Sequence, residues 1–373
     1  MKKRIAVLGA TGSIGRNSLD VISRNRDDFE VVLLCAHSSR SELEKLSNLW
    51  PAAICVLSGE EGGKEKLLDA IARVRADITI NGISGGAGLE PSLAAVESGS
   101  NLALANKETI VMAGQLVFRL AKEKNVKIIP VDSEHSAIFH LIEAHAGQNS
   151  GAEISEIILT ASGGPFRNLS LKEMENVKAK DALAHPTWKM GPKITVDSAS
   201  MANKGLEIIE ACVFFNMPPE KIKVVIHPQS VVHSMVRLSN GVIYAQLSLP
   251  DMRHPIHDAL YWPKTAPLNL ETLNFDSLTL EFEKPDLQKF PMLDLAWEAA
   301  AQGGLYPCAY NAANEEAVDA FLSQKIGFLD IHKITSHVLE RDWTAGYIDK
   351  DTVLKADADA RLRAVSYLKK YIS

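Results

Sequence analysis

The chain has 373 residues, which exceeds one ordinary hydrophobic core and predicts two or three domains. Apolar residues make up 46% and charged residues 23%, as in typical globular proteins, and the net charge of -6 disfavours nucleic acid and acidic membranes as partners. The four cysteines form no CxxC pair, which disfavours a zinc site or disulfide framework. No signal peptide or membrane-length apolar run is seen, so we expect a cytoplasmic protein.

A glycine-rich turn follows the first predicted strand. The apolar run Ile5 to Leu8 leads into Gly9, Gly12 and Gly15, which have GxxGxxG spacing and precede a helix. Glycines let the backbone approach a pyrophosphate closely, and the helix N-terminus supplies free N–H donors and partial positive charge. A plain strand-to-helix turn is the alternative. The strand before and the helix after favour a dinucleotide site.

The second predicted strand ends without a carboxylate. NAD-binding units usually place Asp or Glu there to hold the ribose hydroxyls. Here the strand leads into His37-Ser38-Ser39-Arg40, which offers hydroxyl groups and a cation. We therefore predict NADP rather than NAD, with Ser38 and Ser39 among the cofactor-binding residues. If these are ordinary polar residues at a strand end, the preference is weak.

Polar residues also follow two later strands of the first third. Asn106-Lys107-Glu108 follows one strand, and Asp132-Ser133-Glu134-His135 follows the next. Ligands bind at the carboxyl ends of parallel strands. Carboxylate oxygens favour Mg²⁺ or Mn²⁺ over Zn²⁺, so Asp132 and Glu134 are candidate metal ligands. Helix capping by Asp132 or Ser133 is the alternative.

The middle third offers a second polar cluster. Asn203, Lys204 and Glu207 share one face if this segment is helical, and that face could hold a phosphate and a metal together. A solvated charged face is the alternative. Ser162-Gly163-Gly164 follows a strand and offers another place for a phosphate. The segment between these clusters contains Trp188 and is interpreted either as a loop that closes over a ligand or as a surface connector.

The order of elements predicts the architecture. The first third alternates strands and helices, the middle third has α+β character, and the last third is helical. We predict an α/β protein with an N-terminal Rossmann-type doubly wound sheet, a central α+β catalytic domain and a C-terminal helical bundle. The predicted divisions are 1–130 for dinucleotide binding, 131–265 for catalysis with an active-site loop near 185–191, 266–292 as a linker, and 293–373 for the bundle.

Taken together, the motifs resemble the 1-deoxy-D-xylulose 5-phosphate reductoisomerase family over essentially the full length. Each motif alone is modest evidence, whereas all of them in this order are highly specific. The matching segments are 9–15 (GATGSIG), 105–108 (ANKE), 131–135 (VDSEH), 161–166 (ASGGPF), 185–191 (HPTWKMG), 196–207 (VDSASMANKGLE), 227–230 (HPQS) and 311–315 (NAANE).

The resemblance implies an NADPH-dependent and Mg²⁺- or Mn²⁺-dependent homodimer. It would rearrange and reduce 1-deoxy-D-xylulose 5-phosphate to 2-C-methyl-D-erythritol 4-phosphate in the non-mevalonate route to isoprenoid precursors. Implied catalytic residues are Lys107, Asp132, Glu134 and Glu207, of which the three carboxylates bind the metal. Implied substrate-binding residues are Lys107, Ser133, Glu134, Ser162, His185, Trp188, Met190, Ser198, Asn203, Lys204 and Glu207. Implied cofactor-binding residues are Thr11, Gly12, Ser13, Ile14, Asn106, Glu108 and Gly191.

The chain departs from the family at one place. Family members often carry a Gly and a basic residue at the end of the second strand, commonly followed by Asn. This chain has His37, Ser38 and Ser39 there, and its basic residue, Arg40, comes one place later. The geometry of 2′-phosphate recognition is therefore expected to differ, while the cofactor class is not.

Two other functions fit parts of the pattern. One is a different NADP-dependent dehydrogenase of a small phosphorylated substrate, and a thiohemiacetal mechanism there would need a reactive cysteine near a histidine. Cys212 lies in an apolar helical run and is interpreted as a core residue. The other is a nucleotide-sensing module without catalysis, which the acidic and phosphate-type positions disfavour.

Overall fold

The computed structural model of the chain describes residues 1–145, 153–184, 188 and 190–372. The chain divides into two units. The first contains Met1–Thr109, Gln115–Ser136 and Asp251–Leu270, and the second contains Ile110–Gly114, Ala137–Pro250 and Glu271–Ser373. The finer division at 130, 265 and 292 stays a prediction. The structure adds that residues 251–270, assigned from sequence mainly to the catalytic domain, pack with the first unit.

The first unit is built on a six-stranded parallel sheet. Its strands are β1 (Lys3–Leu8), β2 (Phe29–Ala36), β3 (Ile54–Leu57), β4 (Ile78–Asn81), β5 (Asn101–Leu104) and β6 (Ile128–Pro130). The strand order β3-β2-β1-β4-β5-β6 starts in the middle and extends outwards in both directions. This confirms the predicted doubly wound sheet and places the change of direction between β1 and β4, where such sheets bind ligands.

Apolar sequence runs explain the central strands. Residues 5–8 of β1 are fully buried, as are most residues of β2, because helices cover both faces of a parallel sheet. The helices of this part of the chain are α1 (Ser13–Arg24), α2 (Arg40–Leu49), α3 (Gly63–Val74), α4 (Leu89–Glu97), α5 (Lys107–Lys124) and α6 (Ser133–His145). Helix α1 begins six residues before its predicted start at Leu19, because its first turn is polar and has no apolar periodicity.

The second unit contains a mixed four-stranded sheet. Its strands are β7 (Ile154–Ala161), β8 (Ile222–Ile226), β9 (Val232–Leu238) and β10 (Ile243–Leu247), in the order β10-β9-β7-β8. Strand β7 is parallel to β8 and antiparallel to β9, and β10 is antiparallel to β9. This is the second sheet that the sequence predicted.

The remaining helices in chain order are α7 (Leu171–Met174), α8 (Ala179–Ala182), α9 (Pro192–Ala199), α10 (Ala202–Phe214), α11 (Arg253–Tyr261), α12 (Met292–Gln302), α13 (Tyr306–Leu322), α14 (Asp330–Leu339) and α15 (Lys350–Ile372). Helix α11 belongs to the first unit, and α12 to α15 pack together as the C-terminal bundle. Helix α13 contacts α12, α14 and α15, so it is the centre of the predicted bundle. Among the described helices, none has the length and apolarity that a membrane span requires.

The predicted linker has little regular structure and is fixed at one point. Glu283 forms an isolated bridge with Ile226, with backbone N–H to oxygen distances of 2.8 and 2.9 Å. Next to it, His227 Nδ1 lies 2.9 Å from the Glu281 carbonyl oxygen, and its ring stacks on Phe282. The buried His227, whose role the sequence left open, therefore anchors the linker beside the end of β8.

A charged contact fastens α11 within the first unit. The Arg253 guanidinium donates to both oxygens of Asp251, at 3.0 and 2.6 Å, and to Asp20 of α1 at 3.1 Å. Burial alone would raise the pKa of Asp251, but the hydrogen bonds from Arg253 outweigh it and lower that pKa below its usual value of 3.8.

We expect Arg253→Met to lower the free energy of unfolding by about 1–2 kcal/mol at neutral pH. Because the folded-state pKa of Asp251 is depressed, its contribution is present above pH 3.8 and is lost as pH falls through the folded-state pKa. Denaturant unfolding of both proteins at several pH values measures this. The control is Arg73→Met, which removes an exposed pair with Asp69. A difference from wild type that does not change with pH would contradict the assignment.

Candidate active site

The glycine turn after β1 is closely packed. Gly9 has a φ of +79°, and a Cβ there would lie 2.7 Å from the Gly82 carbonyl oxygen. A Cβ on Gly15 would lie 2.3 Å from the Gly9 carbonyl oxygen. The N-cap of α1, Gly12, provides no side-chain cap, so the first N–H groups of the helix are not capped by it. The turn thus offers uncapped donors and a close approach to the backbone, as an anionic pyrophosphate requires.

Gly15→Ala is expected to lower the unfolding temperature by several degrees and to weaken dinucleotide binding, because the new methyl group forces α1 away from the turn. Thermal unfolding and nucleotide titration measure the two effects. Gly346→Ala is the control, since a Cβ there meets nothing within 4 Å. Equal stability of the two variants would show that the turn tolerates the displacement.

Asn106 has a structural task at the end of β5. Its side-chain oxygen accepts from the Thr109 N–H, capping α5, and its Nδ2 donates to the carbonyl oxygens of Ile83 and Gly85 at 2.6 and 2.9 Å. It also donates to Glu108 at 3.0 Å. Asn106 and Glu108 therefore hold the loop after β4 at the carboxyl edge of the sheet, next to the glycine turn.

Lys107 and Asp132 form a buried ion pair at the same edge. The Lys107 Nζ lies 2.8 Å from Asp132 Oδ2, and the two side chains are only 9% and 15% exposed. Asp132 Oδ1 accepts from the Glu134 N–H at 3.3 Å and lies 3.5 Å from the fully buried His135 ring. Burial would raise the pKa of Asp132, but Lys107 and then His135 hold it well below its usual value. The carboxylate is therefore ionised at neutral pH, as a metal ligand must be.

Ser133 and Glu134 lie in the first turn of α6. The Ser133 hydroxyl donates to Glu134 Oε2 at 2.5 Å, and both side chains are partly exposed. The Asp132 carbonyl oxygen accepts the Ser136 N–H at 2.8 Å. Asp132 therefore also caps α6, since its side chain accepts the Glu134 N–H, and the capping alternative holds together with an ionised carboxylate.

In the second unit, the turn after β7 meets the end of α9. Gly163 and Gly164 have φ values of +83° and +66°. A Cβ on Gly164 would lie 2.6 Å from the Ser198 carbonyl oxygen. The Ser162 hydroxyl oxygen accepts the Gly164 N–H at 3.3 Å. Ser162 and Ser198, two of the residues expected to bind phosphate, are thereby placed on neighbouring segments.

Helix α10 presents the predicted amide, cation and carboxylate. Met201, in left-handed conformation with a φ of +62°, separates α9 from α10 and provides no side-chain cap. Asn203 Nδ2 donates to Glu207 Oε1 at 2.6 Å, and Lys204 Nζ donates to Glu207 Oε2. Lys204 and Glu207 are almost completely buried, so the alternative of a solvated charged face is wrong. A buried carboxylate held at both oxygens belongs to a built site rather than to a surface.

A second layer supports α9. The buried Asp197 accepts from Asn314 Nδ2 of α13 at 2.8 Å and pairs with Lys193 at 3.0 Å. Lys193 also lies 4.0 Å from Glu315, which pairs with Arg361 of α15. The bundle therefore fixes the helix that carries Ser198.

Part of the predicted active-site loop lies outside the described residues, including His185. Trp188 and Met190 are half-buried, and the exposed Gly191 is the N-cap of α9. Among its described residues, the segment 165–197, interpreted from the sequence as a loop, contains α7, α8 and most of α9. The Gly191-Pro192 pair, with proline at the first helical position, was the signal for α9.

Comparisons with known proteins show which family has this sequence and fold. A family model described as 1-deoxy-D-xylulose 5-phosphate reductoisomerase matches residues 5–65 and 56–114. Two models of the C-terminal domains of these enzymes match 128–215 and 247–363. A 1-deoxy-D-xylulose 5-phosphate reductoisomerase of Treponema denticola is 49% identical over 98% of this chain and 96% of its own length, and one of Treponema pallidum is 43% identical over 97% and 96%.

The chain belongs to the 1-deoxy-D-xylulose 5-phosphate reductoisomerase family. Solved structures agree. The enzyme from Zymomonas mobilis in complex with NADPH is 41% identical, with a TM-score of 0.88 over 99% of both chains. A reductoisomerase in complex with NADPH, fosmidomycin and magnesium is 36% identical, with a TM-score of 0.90 over 98% of both chains.

Within this reductoisomerase, sequence reasoning did not find the supporting residues. Asn314 belongs to a matched motif that had no assigned role, and the structure shows that it donates to Asp197. Lys193 and Arg361 were not singled out. Each has one partner four positions away, Asp197 for Lys193 and Asp357 for Arg361. Their contacts with Glu315, like that of Asn314 with Asp197 over 117 positions, are distant in the sequence, so no local pattern predicts them.

Proposed function

We propose that Asp132, Glu134 and Glu207 bind the divalent cation of this reductoisomerase. As a member of its family, the protein is an NADPH-dependent and metal-dependent enzyme that converts 1-deoxy-D-xylulose 5-phosphate to 2-C-methyl-D-erythritol 4-phosphate for isoprenoid precursor synthesis. The donor set fits, because carboxylate oxygens suit Mg²⁺ and Mn²⁺. The observation that carries the proposal is the Lys107–Asp132 pair, which keeps Asp132 ionised in a buried position.

NADPH is proposed to bind at the glycine turn after β1. The space that a Cβ on Gly9 or Gly15 would fill supports this, as do the uncapped N–H groups of α1. Asn106 and Glu108 contribute by holding the loop after β4, to which Asn106 donates two hydrogen bonds. The residues proposed to contact the cofactor are Thr11, Gly12, Ser13, Ile14, Ser38, Ser39, Asn106, Glu108 and Gly191.

The phosphate of the substrate is proposed to bind at the start of α10 and the neighbouring turns. The uncapped N-terminus of α10 attracts an anion, and Lys204 supplies a buried cation. Asp197 and Asn314 keep α9 in place beneath the site. The proposed phosphate ligands are Ser162, Ser198, Asn203 and Lys204, with His185 from the loop.

The chemistry follows from these roles. When bound, the divalent cation supplies Lewis acidity for the ketone and hydroxyl oxygens of the substrate, and the nicotinamide supplies the hydride. Lys107 places a positive charge beside the developing oxyanion, and Lys107 and Ser133 contact and orient the substrate chain. Binding of the remote phosphate supplies energy that can be used to stabilise the transition state. Trp188 and Met190 of the predicted active-site loop exclude water from the reacting carbons.

The test is NADPH oxidation with 1-deoxy-D-xylulose 5-phosphate, measured with Mg²⁺, with Mn²⁺ and after EDTA. We expect oxidation that requires substrate, stops with EDTA and returns when metal is added back. Demonstrated NADPH binding without oxidation under any of these conditions would reject the assigned reaction. Oxidation that persists in EDTA would reject the metal ligands.

The alternative dehydrogenase chemistry lacks its nucleophile. Burial raises the pKa of the Cys212 thiol to about 12, so the thiolate is scarce at neutral pH. A thiohemiacetal mechanism at this residue is therefore disfavoured. A nucleotide-sensing module would bind NADPH without turnover, which the same assay detects.

A homodimer is proposed through the edge strand β10. Val242, Ile243 and Tyr244 are 46%, 43% and 40% exposed on or beside this strand. Exposed apolar side chains on a free strand edge are typical of a surface that another chain covers.

All four cysteines are free thiols, which is consistent with the proposed cytoplasmic location.

Light scattering tests this interface. The measured molar mass of the wild-type protein is expected to be twice that of one chain. Ile243→Lys is expected to lower this mass towards that of a monomer. Ile54→Lys is the matched control, because Ile54 is 46% exposed on β3, at the edge of the other sheet. A dimer that resists Ile243→Lys but not Ile54→Lys would place the interface elsewhere.

A further inference from the structure

The loops after β2 and β3 meet at one edge of the first sheet. The Ser58 N–H donates to the Ala36 carbonyl oxygen at 2.8 Å, and the Gly59 N–H donates to the His37 carbonyl oxygen at 2.9 Å. A Cβ on Gly59 would lie 2.6 Å from that same oxygen. The glycine therefore permits a close approach that brings the next residue, Glu60, beside the start of α2.

Arg40, the first residue of α2, forms an ion pair with Glu60. The two side chains are 64% and 43% exposed, so solvent screens the pair and a stronger anion can displace it. Ser39 is the N-cap of α2 but makes no capping hydrogen bond, so its hydroxyl is not engaged in a cap. An arginine fork, a hydroxyl and uncapped helix N–H groups are the donors that a phosphate monoester prefers.

We propose that Glu60 determines cofactor specificity by competing with the 2′-phosphate of NADPH for Arg40. The proposal rests on the proposed cofactor site, because the ribose of a dinucleotide bound at the glycine turn lies at the end of β2. Before NADPH binds, Glu60 holds the Arg40 guanidinium. When NADPH binds, the 2′-phosphate takes that guanidinium, and the Glu60 carboxylate remains nearby as a like charge. NADH carries no such phosphate and leaves the pair intact.

The Arg40–Glu60 pair lowers the preference for NADPH over NADH. The doubly charged 2′-phosphate must break an existing ion pair and tolerate a neighbouring carboxylate, whereas the hydroxyl of NADH does neither. Removing the charge of Glu60 should therefore tighten NADPH and leave NADH unchanged. Removing Arg40 should weaken NADPH and abolish the effect of Glu60.

Nucleotide titration of the full-length protein without substrate tests the proposal. Dissociation constants for NADPH, NADH and adenosine 2′,5′-bisphosphate are measured for wild type, Glu60→Gln, Arg40→Ala and the double variant. We expect Glu60→Gln to tighten NADPH and the bisphosphate by about threefold to tenfold and NADH by less than about 1.5-fold. In the Arg40→Ala background, the effect of Glu60→Gln should fall below about twofold.

Glu61→Gln is the matched control, because it removes the same charge from the adjacent exposed residue. It should change NADPH affinity by less than half as much as Glu60→Gln does. Weaker NADPH binding by Glu60→Gln would mean that the carboxylate orients Arg40 for the phosphate. Equal tightening of NADPH and NADH by Glu60→Gln would mean that Glu60 repels both nucleotides in general. The same conclusion would follow if Glu60→Gln still tightened NADPH in the Arg40→Ala background. Each result overturns the proposal. Failure of wild type to bind NADPH would overturn the cofactor site itself, a separate and distinguishable outcome.

Discussion

Glu207→Gln is expected to lower kcat by about 10³-fold at saturating Mg²⁺ while the dissociation constant for NADPH stays within about twofold of wild type. The substitution keeps the size of the side chain and its contact with Asn203, but removes the negative charge that faces Lys204 and, by our proposal, the cation. Steady-state kinetics at several Mg²⁺ concentrations and nucleotide titration give the two quantities.

Glu210→Gln is the control for this prediction. Glu210 lies one turn further along α10 and is also a buried carboxylate, but it has no proposed part in the metal site. We expect its kcat to remain within about threefold of wild type. If Glu207→Gln keeps wild-type kcat at saturating Mg²⁺, Glu207 is not a metal ligand.

Lys107→Met should have the second-largest effect, with kcat reduced by about 10²–10³-fold. It removes the cation nearest Asp132 and leaves a buried carboxylate without its main partner, so we also expect a loss of about 2–4 kcal/mol in the free energy of unfolding at neutral pH. Circular dichroism confirms that the variant is folded before kinetics are measured.

The sign of the pH dependence follows from Asp132. In wild type its folded-state pKa lies well below the usual value of 3.8, so its stabilising contribution is present above that pH and is lost as pH falls through the folded-state pKa. Without Lys107, burial dominates and the pKa of Asp132 rises. The stability gap between wild type and Lys107→Met should therefore be widest at neutral pH and close under acid conditions.

Lys64→Met is the control for Lys107→Met. Lys64 pairs with Glu90 in the same unit, but its side chain is 57% exposed. We expect a change of less than about 1 kcal/mol in stability and little change in kcat. An equal loss of activity in both variants would mean that Lys107 acts only through general electrostatics.

The pairing of Lys107 with Asp132 shows what the sequence predicts well. Both motifs follow apolar strand runs, and parallel strands end at one edge of a sheet. Because β5 and β6 are neighbours, the residues that follow them come together. The glycine turn, the helical face of α10 and the bundle were also predicted, because each has a local pattern of spacing or periodicity.

The support of the site was not predictable in this way. The Asp197–Asn314 bond joins segments whose proximity depends on the packing of α9 against α13. Asn106, which the resemblance predicts to contact the cofactor, also donates hydrogen bonds to a loop more than twenty positions earlier in the chain, and no local pattern predicted that structural role. Burial of Lys204 and Glu207 likewise depends on α12, which packs against α10 from a distant part of the sequence.

The measurement that tests the central claim most directly is identification of the product. Carbon-13-labelled 1-deoxy-D-xylulose 5-phosphate is incubated with the enzyme, NADPH and Mg²⁺, and the carbon skeleton of the product is read by NMR. We predict the branched 2-C-methyl-D-erythritol 4-phosphate, whose methyl group is attached to a carbon without hydrogen. An unbranched reduced sugar phosphate would contradict the account, because it would show a simple dehydrogenase that reduces its substrate without rearrangement.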